Sequence, residues 1–398
     1  MRSSQTEHLW SFKKYIQNSN IYYCNVGIGV VLNYLKYVKF DLIIYDWSFV
    51  GARFERKRFK KILTKLNFLK FNNSVKICLP QDEFTCMDIL CEFINGFRIN
   101  FVFSVAPSSE WKKIYRTVSF KKVKFIQILT GYLDEKLIED WQDRSLITNR
   151  PLDIGYRTVS TAVWGRFNLL KAKIAEIFLD KSISHDFTTD IKVGAEYFKM
   201  GNDWLEFLCQ CRFTLGVEGG SRILDWDGSI WDKVINYQKK NPNSSFDDLI
   251  NGCVPIENEG EVNVVAISPR HLEACLTRTA QVLLEGDYNG ILKANVHFIP
   301  LKADFSNINE VMVRMYDESS RLDMVENAYR DIVKSGNYTY NSMVKTLLDE
   351  CKLSSVRYTE FNLCNEFFYF LNSLYLMINI FLVYILSRFR SIRNRFLK

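Results

Sequence analysis

The chain has 398 residues, 47% of them hydrophobic and 24% charged, which suits two or three folded domains and excludes global disorder. With 7 Pro and 18 Gly, collagen-like and low-complexity classes are excluded as well. A net charge of +7 over this length is too dilute for a nucleic-acid signature, so no nucleic-acid partner is expected.

The first residues (MRSSQTEHLW) carry no apolar run of signal-peptide length. The ten cysteines include no Cys-x-x-Cys pair, and the four histidines have no metal-ligand spacing. These features predict a reducing, cytoplasmic setting, no metal site, and cysteines that act as small apolar side chains.

Short apolar runs then alternate with stretches long enough for helices. Asp41–Tyr45 ends at Asp46, Val75–Leu79 ends at Pro80-Gln81-Asp82-Glu83, and Ile99–Phe103 and Val123–Leu129 follow. Phe54–Phe71 and Phe84–Phe97 fill two of the gaps. This alternation predicts parallel strands in a layered α/β domain over residues 1–150. Ligands of such sheets sit at the carboxyl ends of strands, which draws attention to Asp46, Asp82 and Glu83. A carboxylate at position 82 or 83 can act as general base toward a hydroxyl, or can be a solvated helix-start acid. Cys24–Leu32 contains Gly27-x-Gly29, but Leu32 stands where the dinucleotide fingerprint requires its third glycine.

A second series begins after Arg150-Pro151. Leu152–Tyr156 leads into Arg157, and Arg157, Arg166, Lys171 and Lys173 form a basic string able to neutralise a diphosphate. Phe213–Leu215 leads into Gly216-Val217-Glu218-Gly219-Gly220-Ser221. Successive glycines there let backbone N–H groups approach a ligand, or simply make a tight turn. Asp225-Trp226-Asp227 fits either a divalent ion on a diphosphate or, with Gly228-Ser229 behind it, a turn. Asn241–Ser245 reads as a loop. Val262–Asn307 reads as strand, loop, short helix, strand, glycine loop, strand, with Glu273 placed on the helix to hold a ribose diol.

The tail is different. Phe367–Leu386 is 20 residues without a charge, about 30 Å if helical, and Arg388, Arg390, Arg393, Arg395 and Lys398 follow. Spanning would set these cations on the side away from a cytosolic body, against the positive-inside tendency. The alternatives are an interfacial helix on an anionic membrane, a re-entrant hairpin, or a helix packed on the body.

Arg270-His271-Leu272-Glu273-Ala274, Val282-Leu283-Leu284-Glu285-Gly286 and His297-Phe298-Ile299-Pro300-Leu301, with Gly155-Tyr156-Arg157 and Lys171 upstream, resemble the C-terminal domain of GT-B-fold glycosyltransferases of the group-1 and spore-maturation types. The resemblance covers residues 150–345. It implies two Rossmann-like domains facing a cleft: an acceptor domain over 1–150, a nucleotide-sugar domain over 151–345, and a helical tail over 346–398. It implies donor contacts from Arg157, Lys171, Gly219, Gly220, Arg270, Glu273 and Glu285, and catalytic roles for Asp82, Glu83 and Glu218. Such enzymes generally work without a bound metal or other cofactor. One departure stands out: the first glutamate of the family's Glu-x7-Glu falls on Val265, so Glu218 is the substitute candidate for the sugar contact.

The implied activity is sugar transfer from a nucleotide-sugar to a glycan or lipid-linked acceptor, in surface polysaccharide or glycolipid synthesis at the inner face of a membrane. A non-catalytic GT-B-like scaffold is the alternative. A nucleotide-dependent oxidoreductase would require the glycine fingerprint that Leu32 interrupts.

Overall fold

The computed structural model describes residues 3–26, 33–146, 149–353 and 367–378. Gly27, Gly29, Leu32 and the cations from Arg388 to Lys398 lie outside the described residues.

In the first half, α1 (Ser3–Tyr15) precedes β1 (Leu42–Tyr45), and α2 (Trp47–Val50) and α3 (Arg56–Lys65) lead to β2 (Val75–Cys78). Then come α4 (Met87–Gly96), β3 (Phe101–Ser104), α5 (Trp111–Ile114), β4 (Lys124–Gln127) and α6 (Glu135–Trp141). The four strands pair in sequence order and all run parallel. Crossovers of one hand in a sheet wound in one direction place every connecting helix on the same face. Accordingly Tyr45, Cys78 and Val102 pack with Phe59 and Ile62 of α3, Leu90 and Phe93 of α4, and Ile114 of α5.

The opposite face must be covered from elsewhere. Ile77, Leu79, Phe103 and Val105 point that way, and they meet Phe12 of α1 and Tyr340, Met343, Val344 and Leu347 of α14 (Tyr340–Glu350). The period-two alternation along β2 and β3 thus divides two hydrophobic layers. The boundary expected at 345/346 falls inside α14, a helix that returns to the first sheet.

The second half holds β5 (Leu152–Thr158), α7 (Leu170–Ser184), β6 (Thr189–Val193), α8 (Asn202–Cys209) and β7 (Cys211–Gly216). A small antiparallel ribbon, β8 (Gly219–Ser221) with β9 (Val264–Ala266), encloses α9 (Ser229–Lys240) and α10 (Phe246–Cys253). Next are α11 (Pro269–Leu276), β10 (Ala280–Leu284), β11 (Ile299–Leu301), α12 (Ile308–Arg314) and α13 (Glu318–Ala328). The main sheet has the parallel order β6-β5-β7-β10-β11. Helices cover both faces: Ile174 and Phe178 of α7 join Met312 and Val325 on one, and Phe207 of α8 joins Leu272 and Leu276 of α11 on the other. Strand β6 has no counterpart in the sequence reading, because its polar run Thr-Asp-Ile-Lys-Val is that of an edge strand.

Loops at the carboxyl ends of the two sheets touch. Cys86 N donates to Asp225 O (2.9 Å) and Asp225 N to Phe84 O (2.7 Å), a short β-like bridge between domains. Phe54 stacks on Trp231 with ring centroids 5.1 Å apart. The Arg116 guanidinium lies 3.8 Å from the Trp226 ring. On the other flank Thr130 Oγ1 donates to Ile267 O at 2.5 Å. The architecture is two parallel α/β domains apposed through their strand ends.

Leu347 is 1% exposed on α14. Leu347→Ala should therefore lower stability by about 2–5 kcal/mol through the cavity it leaves against the first sheet. Urea denaturation followed by tryptophan fluorescence would measure this; a loss below 0.5 kcal/mol, about the scale of a surface change, would mean that α14 does not seal that face.

Candidate functional site

The order β6-β5-β7-β10-β11 reverses direction between β5 and β7. A crevice at the carboxyl ends of those two strands is where doubly wound sheets bind ligands. Its walls are the segment after β5 (158–170) and the segment after β7 (217–221).

Asn168 joins the two walls. It is fully buried, its Nδ2 donates to Gly220 O at 3.1 Å, and its carbonyl accepts from Ser160 Oγ at 3.0 Å. Its Oδ1 accepts from Lys171 Nζ at 3.1 Å, which positions that cation at the start of α7. Lys171 Nζ lies 5.9 Å from the Trp164 ring, and that ring meets Phe84 edge-on with centroids 5.8 Å apart. The crevice of the second domain thereby faces the loop after β2 of the first. Sequence reading missed Asn168, since a lone asparagine in a loop carries no motif.

The Asp82 loop is held by Arg53, a wholly buried guanidinium. It donates to the carbonyls of Val50 (3.2 Å), Gln81 (2.8 Å), Asp82 (2.7 Å) and Thr85 (3.3 Å). Asp82 itself adopts a left-handed backbone, φ +50°. Burial pushes its carboxyl above the ordinary range while Arg53 and Lys171 pull it back. A carboxyl raised toward neutrality is suited to general-base work.

Several expected site residues are engaged otherwise. Glu83 is fully buried and accepts from Ser104 Oγ (2.6 Å), Val105 N (2.7 Å) and Ala106 N (3.1 Å), and also pairs with the Tyr115 hydroxyl. These bonds make it an anchor for the turn after β3. Arg157 lies within β5 rather than after it, and its guanidinium turns back to Asp190 of β6 and rests 4.3 Å from the Phe207 ring. That charge is spent beside the strand and is not directed at a diphosphate. Glu218 is buried and accepts from Tyr288 N at 2.8 Å, anchoring the loop after β10. Burial raises its carboxyl above the ordinary value. Gly220 is a glycine because of β9: at φ +116° an added Cβ would lie 2.0 Å from Val264 O. Gly219 has an ordinary 3.6 Å clearance there. Glu285 is exposed at the end of β10.

Arg270 lies over the end of β5, donating to Arg157 O, with its guanidinium 5.0 Å from the Trp204 ring and 5.3 Å from that of Phe198. One turn further along α11, Glu273 Oε2 accepts from Trp204 Nε1 at 2.8 Å. Asp225 caps α9, accepting from Ile230 N (3.0 Å) and Trp231 N (2.9 Å), and Asp227 accepts from Ser229 N (3.0 Å). The turn reading of Asp225-Trp226-Asp227 is the one observed. Among the described residues no three His, Cys, Asp or Glu side chains are grouped to hold a metal.

His271 is buried beneath Gly216, with Nδ1 2.9 Å from Gln281 Oε1. Burial lowers its pKa to about 4.

No family model matches this chain, and no curated protein is similar to it. Among solved structures, Anabaena Alr3699/HepE in complex with UDP-glucose aligns over 78% of this chain and 78% of its own, at 9% identity and TM-score 0.42. An α,α-trehalose-phosphate synthase (UDP-forming) from Burkholderia vietnamiensis aligns over 75% and 72%, at 8% identity and TM-score 0.42. An α-glucosyltransferase in complex with UDP-glucose and DNA containing an abasic site aligns over 78% and 80%, at 12% identity and TM-score 0.42.

Two stability predictions come from these contacts. Replacing Glu83 by Leu removes the acceptor of two hydroxyls and two backbone N–H groups, and should cost about 3 kcal/mol or more in urea denaturation. A near-neutral result would show that the carboxylate is dispensable to the fold. For His271 the folded pKa of about 4 lies below the unfolded value of 6.5, so the unfolded chain binds the extra proton first. Stability should fall as pH drops from 6.5 toward 4, by about 3 kcal/mol in all. His271→Gln should flatten that part of the stability–pH curve; an unchanged slope would assign it to other groups.

Proposed function

We propose that the protein is a glycosyltransferase that uses a nucleotide-sugar donor. The observation that carries this reading is Lys171, held by Asn168 at the β5–β7 switch point and packed over Trp164, which meets Phe84 of the opposite domain's Asp82 loop. A cation there stabilises a departing diphosphate, where charge builds up as the glycosidic bond to the donor breaks. Arg270 adds a second cation over the end of β5. Glu273 would accept from the ribose hydroxyls. Gly219 leaves room for close approach of the donor. Asp82 is the carboxylate placed to take a proton from an acceptor hydroxyl in an inverting transfer. The proposal includes a metal-independent reaction, a hexosyl or related sugar, a glycan or lipid-linked acceptor, and work at the cytoplasmic face of a membrane in surface polysaccharide or glycolipid synthesis.

A scaffold that binds nucleotide without transferring sugar is the second reading. It is favoured by the structural engagement of Arg157 and Glu218, two groups the resemblance assigns to the donor.

Isothermal titration with UDP, GDP and CMP tests donor binding. For the nucleotide that binds, Lys171→Ala should weaken affinity roughly tenfold while leaving the corresponding nucleoside unaffected, since one charge-assisted contact to phosphate is lost. Glu273→Gln should weaken nucleotide and nucleoside alike. Binding with no turnover of any UDP-, GDP- or CMP-sugar would favour the scaffold, and no binding at all would remove the crevice from consideration.

A further inference from the structure

Residues 367–378 form a helix that is amphipathic in the unexpected sense. Its polar side faces the protein. Asn372 is 2% exposed; its Oδ1 accepts from Tyr23 N (3.0 Å), and its Nδ2 donates to Tyr23 O and the Tyr34 hydroxyl (3.1 Å each). Phe368 stacks on Tyr34, Tyr369 packs edge-on against Tyr22, and the Tyr375 hydroxyl donates to Asn25 O (3.4 Å). Its apolar side faces outward. Phe367, Phe370, Leu374, Met377 and Ile378 recur three and four residues apart on one face and are between 41 and 61% exposed.

A helix in water normally buries that stripe, and a contiguous exposed stripe marks a surface made to be covered. The charges around it indicate by what. The turn carrying Tyr34, on which the helix packs, also carries Lys36 and Tyr37, both exposed, with Lys39 exposed just beyond. Lys36 Nζ lies 4.8 Å from the Tyr37 ring. In sequence, the helix leads toward Arg388, Arg390, Arg393, Arg395 and Lys398. Exposed apolar side chains beside a turn with exposed lysines and a tyrosine match an anionic bilayer, into which an amphipathic helix sinks its apolar face while the cations meet headgroups. Among the described residues no helix is long and apolar enough to cross a membrane.

We propose that helix 367–378 and the turn at 33–37 form a lipid-seating surface that holds the protein flat on an anionic bilayer. The proposal rests on the membrane part of the function above but not on its chemistry, so the two fail separately: flotation reads the surface, and nucleotide titration reads the crevice.

The test is flotation of the full chain with phosphatidylcholine vesicles, with and without phosphatidylglycerol. The wild type should float with the anionic vesicles. A triple substitution of the outward face (Phe370→Ser, Leu374→Ser, Met377→Ser) should lower the bound fraction roughly tenfold at unchanged nucleotide affinity and thermal midpoint. Lys36→Glu with Lys39→Glu, a change confined to exposed side chains, should abolish most of the preference for anionic over neutral vesicles. The proposal is overturned if the triple variant floats like the wild type. It is also overturned if the wild type does not float; a dimer in light scattering that the triple variant converts to monomer would then make the stripe a self-association face.

Discussion

A parallel sheet wound in one direction leaves one face without helices of its own. The first sheet of this protein is such a sheet, and most of the remaining architecture answers that constraint. Its bare face is closed by α1, from one end of the fold, and by α14, from beyond the second domain. The chain therefore cannot complete its first core until it has crossed to the second domain and come back. His8 of α1 lies 3.0 Å from Asp46 Oδ2, and Asp46 also caps the turn after β1 through Ser48, so the same helix pins the strand end. Burial raises the Asp46 carboxyl, but the bonds from His8 and Ser48 outweigh it and hold it below its ordinary value.

The same closure fixes how the domains meet. With α14 anchored on the first sheet, the loops at the two carboxyl edges are brought together, and polar groups there serve the junction. The backbone of Asp225 pairs with Phe84 and Cys86 while its side chain caps α9. Arg56 pairs with Asp88 and also donates to Asp227 O at 3.0 Å. A motif that in isolation suits a metal-bound diphosphate is here a clasp between domains.

What is left at the crevice is correspondingly selective. Glu83, Arg157 and Glu218 are consumed by backbone and partner groups, because a buried charge is stable only when its lone pairs or protons are satisfied. Lys171 is tied to Asn168, Arg270 to the end of β5 and Glu273 to Trp204. Arg53 and Asn168 belong to no motif, yet they orient Asp82 and Lys171.

Periodicity and composition determined the larger pattern. Short β-branched and aromatic runs separated by helix-length segments specify parallel strands, and they placed β1 to β5 and β10 within a residue or two of their observed ends. The resemblance around Arg270 to Leu301 implied a second domain over 151–345. The sequence also showed that Leu32 breaks the glycine fingerprint and that Phe367–Leu386 is uncharged. Tertiary structure alone decided which partners these charges take, because the partners lie far apart in the chain: Arg157 on Asp190, Glu83 on Tyr115, Glu218 on Tyr288. It alone decided that β6, a polar edge strand, exists, since its pairing to β5 supplies what its composition does not. And it decided which side of helix 367–378 turns inward, because an asparagine is buried there only once Tyr23 and Tyr34 satisfy its amide.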